Sequence, residues 1–111
     1  MTLVKRNVEV VNPHISTSST MFLIKVEGNS MVEADINHGD YLLVDRNFQN
    51  VNGTIIIAEL NGAWTVKRLY YNDLGEIVLV PENPTFPIIK VSETDSFKVI
   101  GKVVNSFKSF N

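Results

Sequence analysis

Ser30 and Lys67 are the residues of this chain whose types and settings could do chemistry together. Ser30 follows Gly28-Asn29, a small-residue turn at the end of the alternating apolar run 21–27. A strand feeding such a turn presents the next side chain at a sheet edge, where a serine can be a nucleophile. Serine is too weakly acidic to attack a carbonyl at neutral pH, so it needs a base within hydrogen-bond reach. Lys67 is the best candidate, inside the apolar strand-like run 63–71. A lysine serves as a base only when neutral, and burial against apolar neighbours lowers its pKa toward that condition. A turn serine and a strand-edge lysine are also ordinary surface residues, so the pair acquires meaning only from the elements around it.

The chain has 111 residues, enough for one domain with a real core and too few for two. Apolar residues make up 44% and charged residues 20%, the profile of a globular domain. The formal net charge is −2, so no basic surplus exists to neutralise phosphates, and direct nucleic-acid binding by this segment is not expected. Cysteine is absent, which excludes disulfides and Cys-based zinc sites and fits a reducing cytoplasm. Two histidines, His14 and His38, are too few and too scattered for a metal site, and no cofactor motif is present. No run approaches the roughly 18 apolar residues of a membrane span, and the N-terminus lacks the long apolar core of a signal peptide.

The elements that must position the pair read as strands. Residues 21–27 alternate Phe22, Ile24 and Val26 against Leu23, Lys25 and Glu27, the period of a strand. Residues 30–37 have the spacing of one short helical turn, and His38-Gly39-Asp40 reads as a tight turn in which Asp40 stabilises the backbone. Residues 41–45 form a strand apolar enough for burial on both faces. Asn52-Gly53 closes a polar loop, and 54–60 is a strand rich in β-branched residues. Asn61-Gly62 joins it to 63–71, the strongest short hairpin signal in the chain, because a type I′ turn needs positive φ at both positions. On that hairpin Thr65, Lys67, Leu69 and Tyr71 share one face, while Trp64, Val66, Arg68 and Tyr70 share the other. Lys67 and Arg68 are therefore not equivalent: one can point into a site while the other is solvated. Asn72–Gly75 is a turn, 77–80 a short strand, and Pro81, Pro84 and Pro87 mark an extended loop. Residues 97–107 are the last strand, with Gly101 a bulge or bend. Residues 1–20 read as an N-terminal arm, with 8–11 a short strand and 16–20 a polar connector, and 21–111 as a compact, mainly β domain.

The order of the motifs is more specific than any one of them. Val26-Glu-Gly-Asn-Ser-Met31 is followed by His38-Gly-Asp40 and Leu42-Leu-Val-Asp45, then by Thr54-Ile-Ile-Ile-Ala58 and Thr65-Val-Lys-Arg-Leu69. Val78-Leu-Val-Pro-Glu-Asn-Pro84 and Val99-Ile-Gly-Lys-Val103 complete the series. Together, over about residues 21–107, they resemble the C-terminal peptidase domain shared by LexA, UmuD and the cleavable phage repressors. The resemblance implies a single domain of twisted antiparallel sheets. It makes Ser30 the match to the family's nucleophile and Lys67 the match to its general base. It assigns the backbone N–H groups of Asn29 and Ser30 to the oxyanion hole. His14, His38 and Asp40 need no catalytic role.

The family's usual reaction is cleavage of an Ala-Gly or Cys-Gly bond upstream of its own domain, stimulated by RecA filaments on single-stranded DNA. This sequence departs from that pattern. Its six glycines follow Glu27, His38, Asn52, Asn61, Leu74 and Ile100, never Ala or Cys. The residues given also include no DNA-binding segment. Both observations lead us to expect a UmuD-like SOS mutagenesis protein in processed form, a cytoplasmic homodimer that serves as subunit of an error-prone Y-family translesion polymerase. The alternative is the self-cleavage and dimerisation domain of a LexA-like or phage repressor. A type I signal-peptidase relative would pair similar Ser-Met and Lys-Arg elements but needs a membrane anchor. The last strand has apolar residues on both faces, Phe97, Val99 and Val103 against Ile100 and Val104, and is followed by Phe107 and Phe110; a homodimer with this strand near the interface follows.

Overall fold

Where apolar and polar residues alternate at a period of two, the computed structural model places strands. It describes residues 3–8, 20–49 and 52–108, the first of these segments as backbone only. The strands are β1 (Leu3–Val8), β2 (Met21–Val26), β3 (Tyr41–Asp45), β4 (Thr54–Leu60), β5 (Ala63–Tyr71), β6 (Ile77–Val80), β7 (Ile89–Lys90) and β8 (Phe97–Phe107). They form one 8-stranded sheet in the order β1-β2-β3-β8-β4-β5-β6-β7. Every pairing in it is antiparallel. The expected mainly β, antiparallel fold is what forms.

The last strand in sequence lies in the middle of the sheet. Phe97 to Lys102 pair with β4, and Lys102 to Phe107 pair with β3. Lys102 faces Asp45 on one side and Ile56 on the other, so β8 changes partners there. Gly101 sits beside this change, at a bulge where Ile57 opposes Gly101 and Ala58 opposes Val99. A Cβ on Gly101 would lie 2.5 Å from Val44 Cγ1 and 2.7 Å from the Asp45 carbonyl oxygen, so only glycine fits without movement of β3.

The β4–β5 hairpin closes through Asn61-Gly62, with φ of 51° and 85°, the paired positive values that a type I′ turn demands. Both of its strands are covered on both faces. Ile57 and Val66 belong to a core with Phe22, Ile24, Val26, Met31, Ile36, Leu42 and Val44. Ile56, Ala58 and Leu69 face the other way and pack with Leu79. Lys67 stands directly opposite Ile56, and Thr65 opposite Ala58, so the lysine shares this second apolar face.

Several elements differ from the sequence reading. The helical turn shortens to the 3-10 segment Val32–Ala34, because Asp35 enters the left-handed region at φ 58° and ends it. In β3 only Leu42 and Val44 are fully buried, while Tyr41, Leu43 and Asp45 are half-covered, so one face rather than both is sealed. β7 forms within the proline-marked stretch, just after Pro87, by pairing Ile89 and Lys90 with Leu79 and Val78. At the N-terminus the described strand is 3–8, which adds to β2 at the sheet edge. Residues 9–11 of the expected strand, His14, most of the polar connector and Phe110 lie outside the described residues.

Candidate active site

Ser30 sits in a loop pinned at its neck by backbone. The Val26 N–H donates to the Asp40 carbonyl at 2.8 Å, and the Gly39 N–H donates to the Val26 carbonyl at 2.9 Å. Gly28 turns the chain with φ 92°, and its N–H donates to His38 Nδ1 at 3.1 Å. His38 therefore supports the turn and makes no bond to Ser30. Asp40, buried, accepts the Asn37 N–H at 2.8 Å and the Lys108 ammonium at 2.9 Å, a turn-holding role. Lys108 also bonds Asp35 at 3.0 Å, and the two carboxylates hold its ammonium above the ordinary lysine range, Asp40 contributing most.

At the inner end of this loop Ser30 and Met31 are both fully buried. Met31 plugs the first core, and its Sδ accepts the Glu82 N–H at 3.3 Å. The plug draws the preceding serine inward against β5. There Lys67 Nζ lies 3.3 Å from Ser30 Oγ and 2.6 Å from Thr65 Oγ1. Lys67 is 2% exposed, although it is a lysine. Taking its ammonium out of water, next to Ile56 and Leu69, pushes its pKa below the ordinary lysine value. A neutral amine at that distance can accept a hydroxyl proton, and a hydroxyl so deprotonated is a nucleophile. Among the described residues every buried side-chain nitrogen and oxygen has a partner, those of Ser30 and Lys67 included.

The structure thus brings Ser30 and Lys67 together and adds Thr65 as a second partner of the amine. The signal for Thr65 was its place two residues before Lys67 on the same face. The backbone amides of Asn29 and Ser30 donate to no backbone carbonyl among the described residues.

The neighbour of Lys67 is not simply solvated. Arg68 Nε pairs with Glu82 Oε1 at 2.6 Å, and Nη1 donates to the Gly53 carbonyl at 2.7 Å. Glu82 in turn accepts the Glu33 N–H on its own carbonyl at 2.8 Å, and Asn83 Nδ2 donates to the Asn29 carbonyl at 2.9 Å. The loop after β6 therefore grips the Ser30 turn from both flanks. No local pattern announces the contacts of this loop with the Ser30 turn, which join residues about fifty positions apart.

Among the described residues no group of three or more His, Cys, Asp or Glu could hold a metal ion. No helix among them is long and apolar enough to cross a membrane.

A buried serine hydroxyl lies against a buried lysine amine on an antiparallel β domain, and the family match gives that domain's class as a serine peptidase. The chain belongs to the Peptidase S24-like family, whose model matches residues 2–104. It is 42% identical over 99 residues to the LexA repressor of Bordetella parapertussis, a match covering 89% of this chain and 45% of that protein. It is 43% identical over 88 residues to the LexA repressor of Paracidovorax citrulli, covering 79% and 39%. The LexA repressor of Thermosipho melanesiensis is 34% identical over 108 residues, covering 97% and 53%. The chain spans about half the length of these curated relatives.

Proposed function

We propose that this chain is the self-cleavage and dimerisation domain of a LexA-like repressor, with Ser30 as nucleophile and Lys67 as general base. The observation that carries the reading is the 3.3 Å approach of Lys67 Nζ to Ser30 Oγ with both residues buried. The kinship with proteins named LexA repressor favours the repressor reading over the polymerase subunit expected from the sequence. Nothing in the relatives' names supports a Y-family polymerase partner.

In the reaction, neutral Lys67 takes the Ser30 hydroxyl proton as Oγ bonds to the scissile carbonyl carbon. The carbonyl oxygen becomes an oxyanion, and in this reading the backbone amides of Asn29 and Ser30 receive it. Collapse of that intermediate breaks the C–N bond, and the Lys67 ammonium returns its proton to the leaving amine. Water, deprotonated by Lys67, then hydrolyses the Ser30 ester. The scissile bond lies in an extended segment laid beside the site, Ala-Gly or Cys-Gly in type, and no such bond exists within these residues. A RecA filament as stimulant and a homodimer as the working form belong to this proposal, as does an arm-like role for residues 1–20 ahead of the peptidase domain 21–111.

The test mixes this chain with a relative that carries the cleavable segment and whose own nucleophile is changed to alanine, at mildly alkaline pH. Cleavage of that relative, lost with Ser30→Ala and with Lys67→Ala, is the expected result. Ser30-dependent fragmentation of this chain alone would contradict it.

A further inference from the structure

We infer that the Arg68–Glu82 ion pair is a strut that positions Ser30, so that one strand, β5, sets both the base and the nucleophile. The inference rests on the Ser30/Lys67 reading above. Its ground is a continuous series of contacts that contains no reacting atom. Arg68 directly follows Lys67, and its side chain leaves the opposite face of the strand. Nε holds Glu82 Oε1 at 2.6 Å while Nη1 holds the Gly53 carbonyl at 2.7 Å, so the guanidinium is fixed at two points. Lysine, with a single ammonium, could not reproduce that fork.

What the pair holds is the loop after β6. From that loop three bonds reach the residues on either side of the nucleophile. The Glu82 N–H goes to Met31 Sδ at 3.3 Å, the Glu82 carbonyl receives the Glu33 N–H at 2.8 Å, and Asn83 Nδ2 goes to the Asn29 carbonyl at 2.9 Å. Asn29, Met31 and Glu33 bracket Ser30 in sequence. Fixing them fixes where Oγ and the two candidate oxyanion amides stand. Loops drift more readily than strands, and a displacement of about 1 Å in a reacting group can cost on the order of a hundredfold in rate. The pair's side chains are only 27% and 29% exposed, so removing one partner can also cost stability, which the thermal melts in the test read separately. Arg68 and Glu82 are positioning residues, not catalytic ones.

The test reads Ser30 directly with a fluorophosphonate probe on this chain, which needs no peptide substrate. Ser30 Oγ bonds to phosphorus, the P–F bond breaks, fluoride leaves and the hydroxyl proton passes to Lys67. Labelling rates are measured from pH 7 to 11 for the wild type, Glu82→Gln, Arg68→Leu, Arg68→Lys and the Arg68→Leu/Glu82→Gln double variant, with thermal melts alongside. The expected result is a plateau rate at least tenfold lower in each single variant, no recovery in Arg68→Lys, and a double variant no slower than the slower single. The midpoint of the pH profile stays in place in the double variant, which removes one charge of each sign and leaves the local net charge as it was. A folded Glu82→Gln that labels at the wild-type rate overturns the strut, and so does a loss in the double variant that comes with a moved midpoint, since the effect would then run through Lys67. Should Arg68→Leu fail to fold, Glu82→Gln, nearly isosteric and partly exposed, decides alone. A wild type that does not label, or one that labels equally as Lys67→Ala, overturns the Ser30/Lys67 reading itself and the strut with it.

Discussion

Lys67 Nζ stands closer to Thr65 Oγ1, at 2.6 Å, than to Ser30 Oγ, at 3.3 Å. In the ammonium form Nζ donates to both hydroxyls. In the neutral form an N–H can stay on Thr65 while the lone pair turns to the Ser30 proton, so the threonine aims the base. A hydrogen bond to a charged donor is stronger than one to a neutral donor, so Thr65 also supports the ammonium. Thr65→Val removes both effects. The rate of Ser30 reactions should fall about tenfold or more, within the range of a misplaced general base. The midpoint of the pH–rate profile should move to lower pH. A profile that moves to higher pH, or an unchanged rate, would refute this role.

The legibility of the sequence follows the range of the interactions. Strands β2, β3, β4, β5, β6 and β8 were readable because period-two alternation and Asn-Gly turns are local, and Asn61-Gly62 fixed the register that sets Lys67 opposite Ile56. β1 was not legible: Lys5 and Arg6 interrupt its alternation, and the strand exists by pairing with β2. β7 is two residues long and lies within a proline-rich stretch, so only its partner β6 reveals it. For the site, residue types and motif order suggested Ser30 and Lys67. The Glu82 and Asn83 contacts were hidden, because a long-range hydrogen bond leaves no periodicity in the chain.

The buried amine makes stability depend on pH in a direction that can be worked out. The folded-state pKa of Lys67 lies below its ordinary value of 10.5, with desolvation as the largest cause. Between those two values the unfolded chain binds more protons than the folded one, so this group makes stability rise with pH through the window. Below the folded-state pKa the full cost of burying the ammonium is present. Lys67→Met keeps the volume and removes the charge, and should raise the melting temperature at neutral pH while abolishing Ser30 reactivity. That gain should shrink as pH rises toward 10.5. Melts of the two proteins at stepped pH check this; a gain that grows with pH would refute it.

Gly101 is required for packing. Its missing Cβ leaves room for Val44 and the Asp45 carbonyl, both within 2.7 Å of where a methyl would stand. Gly101→Ala should therefore cost about 1–3 kcal/mol, the usual penalty for forcing extra volume into a packed site, and Gly101→Val more. Denaturant titration with an unchanged slope and a lowered midpoint is the expected signature. Because β8 is the strand that joins β3 to β4, the loss should be felt across the whole domain as one transition.

The partner change at Lys102 bears on assembly. Towards Phe107, β8 keeps β3 on one side, and among the described residues no strand pairs with its other side. That open edge carries Val104 and Phe107, which are 42% and 46% exposed. An unpaired edge with exposed apolar side chains is a template for another strand. A second copy can supply that strand in antiparallel register about a twofold axis, since a C2 contact presents the same patch from both subunits. The expected homodimer would then bury Val104 and Phe107 of both chains. Val104→Lys sets two like charges near each other across such an axis, and Phe107→Glu removes the larger apolar contact. Sedimentation velocity at micromolar concentration should show a dimer for the wild type and a monomer for the Val104→Lys/Phe107→Glu variant, with the fold of each confirmed by its thermal transition. A wild type that sediments as a monomer at that concentration would refute the interface, and a double variant that stays dimeric would place it elsewhere on the sheet.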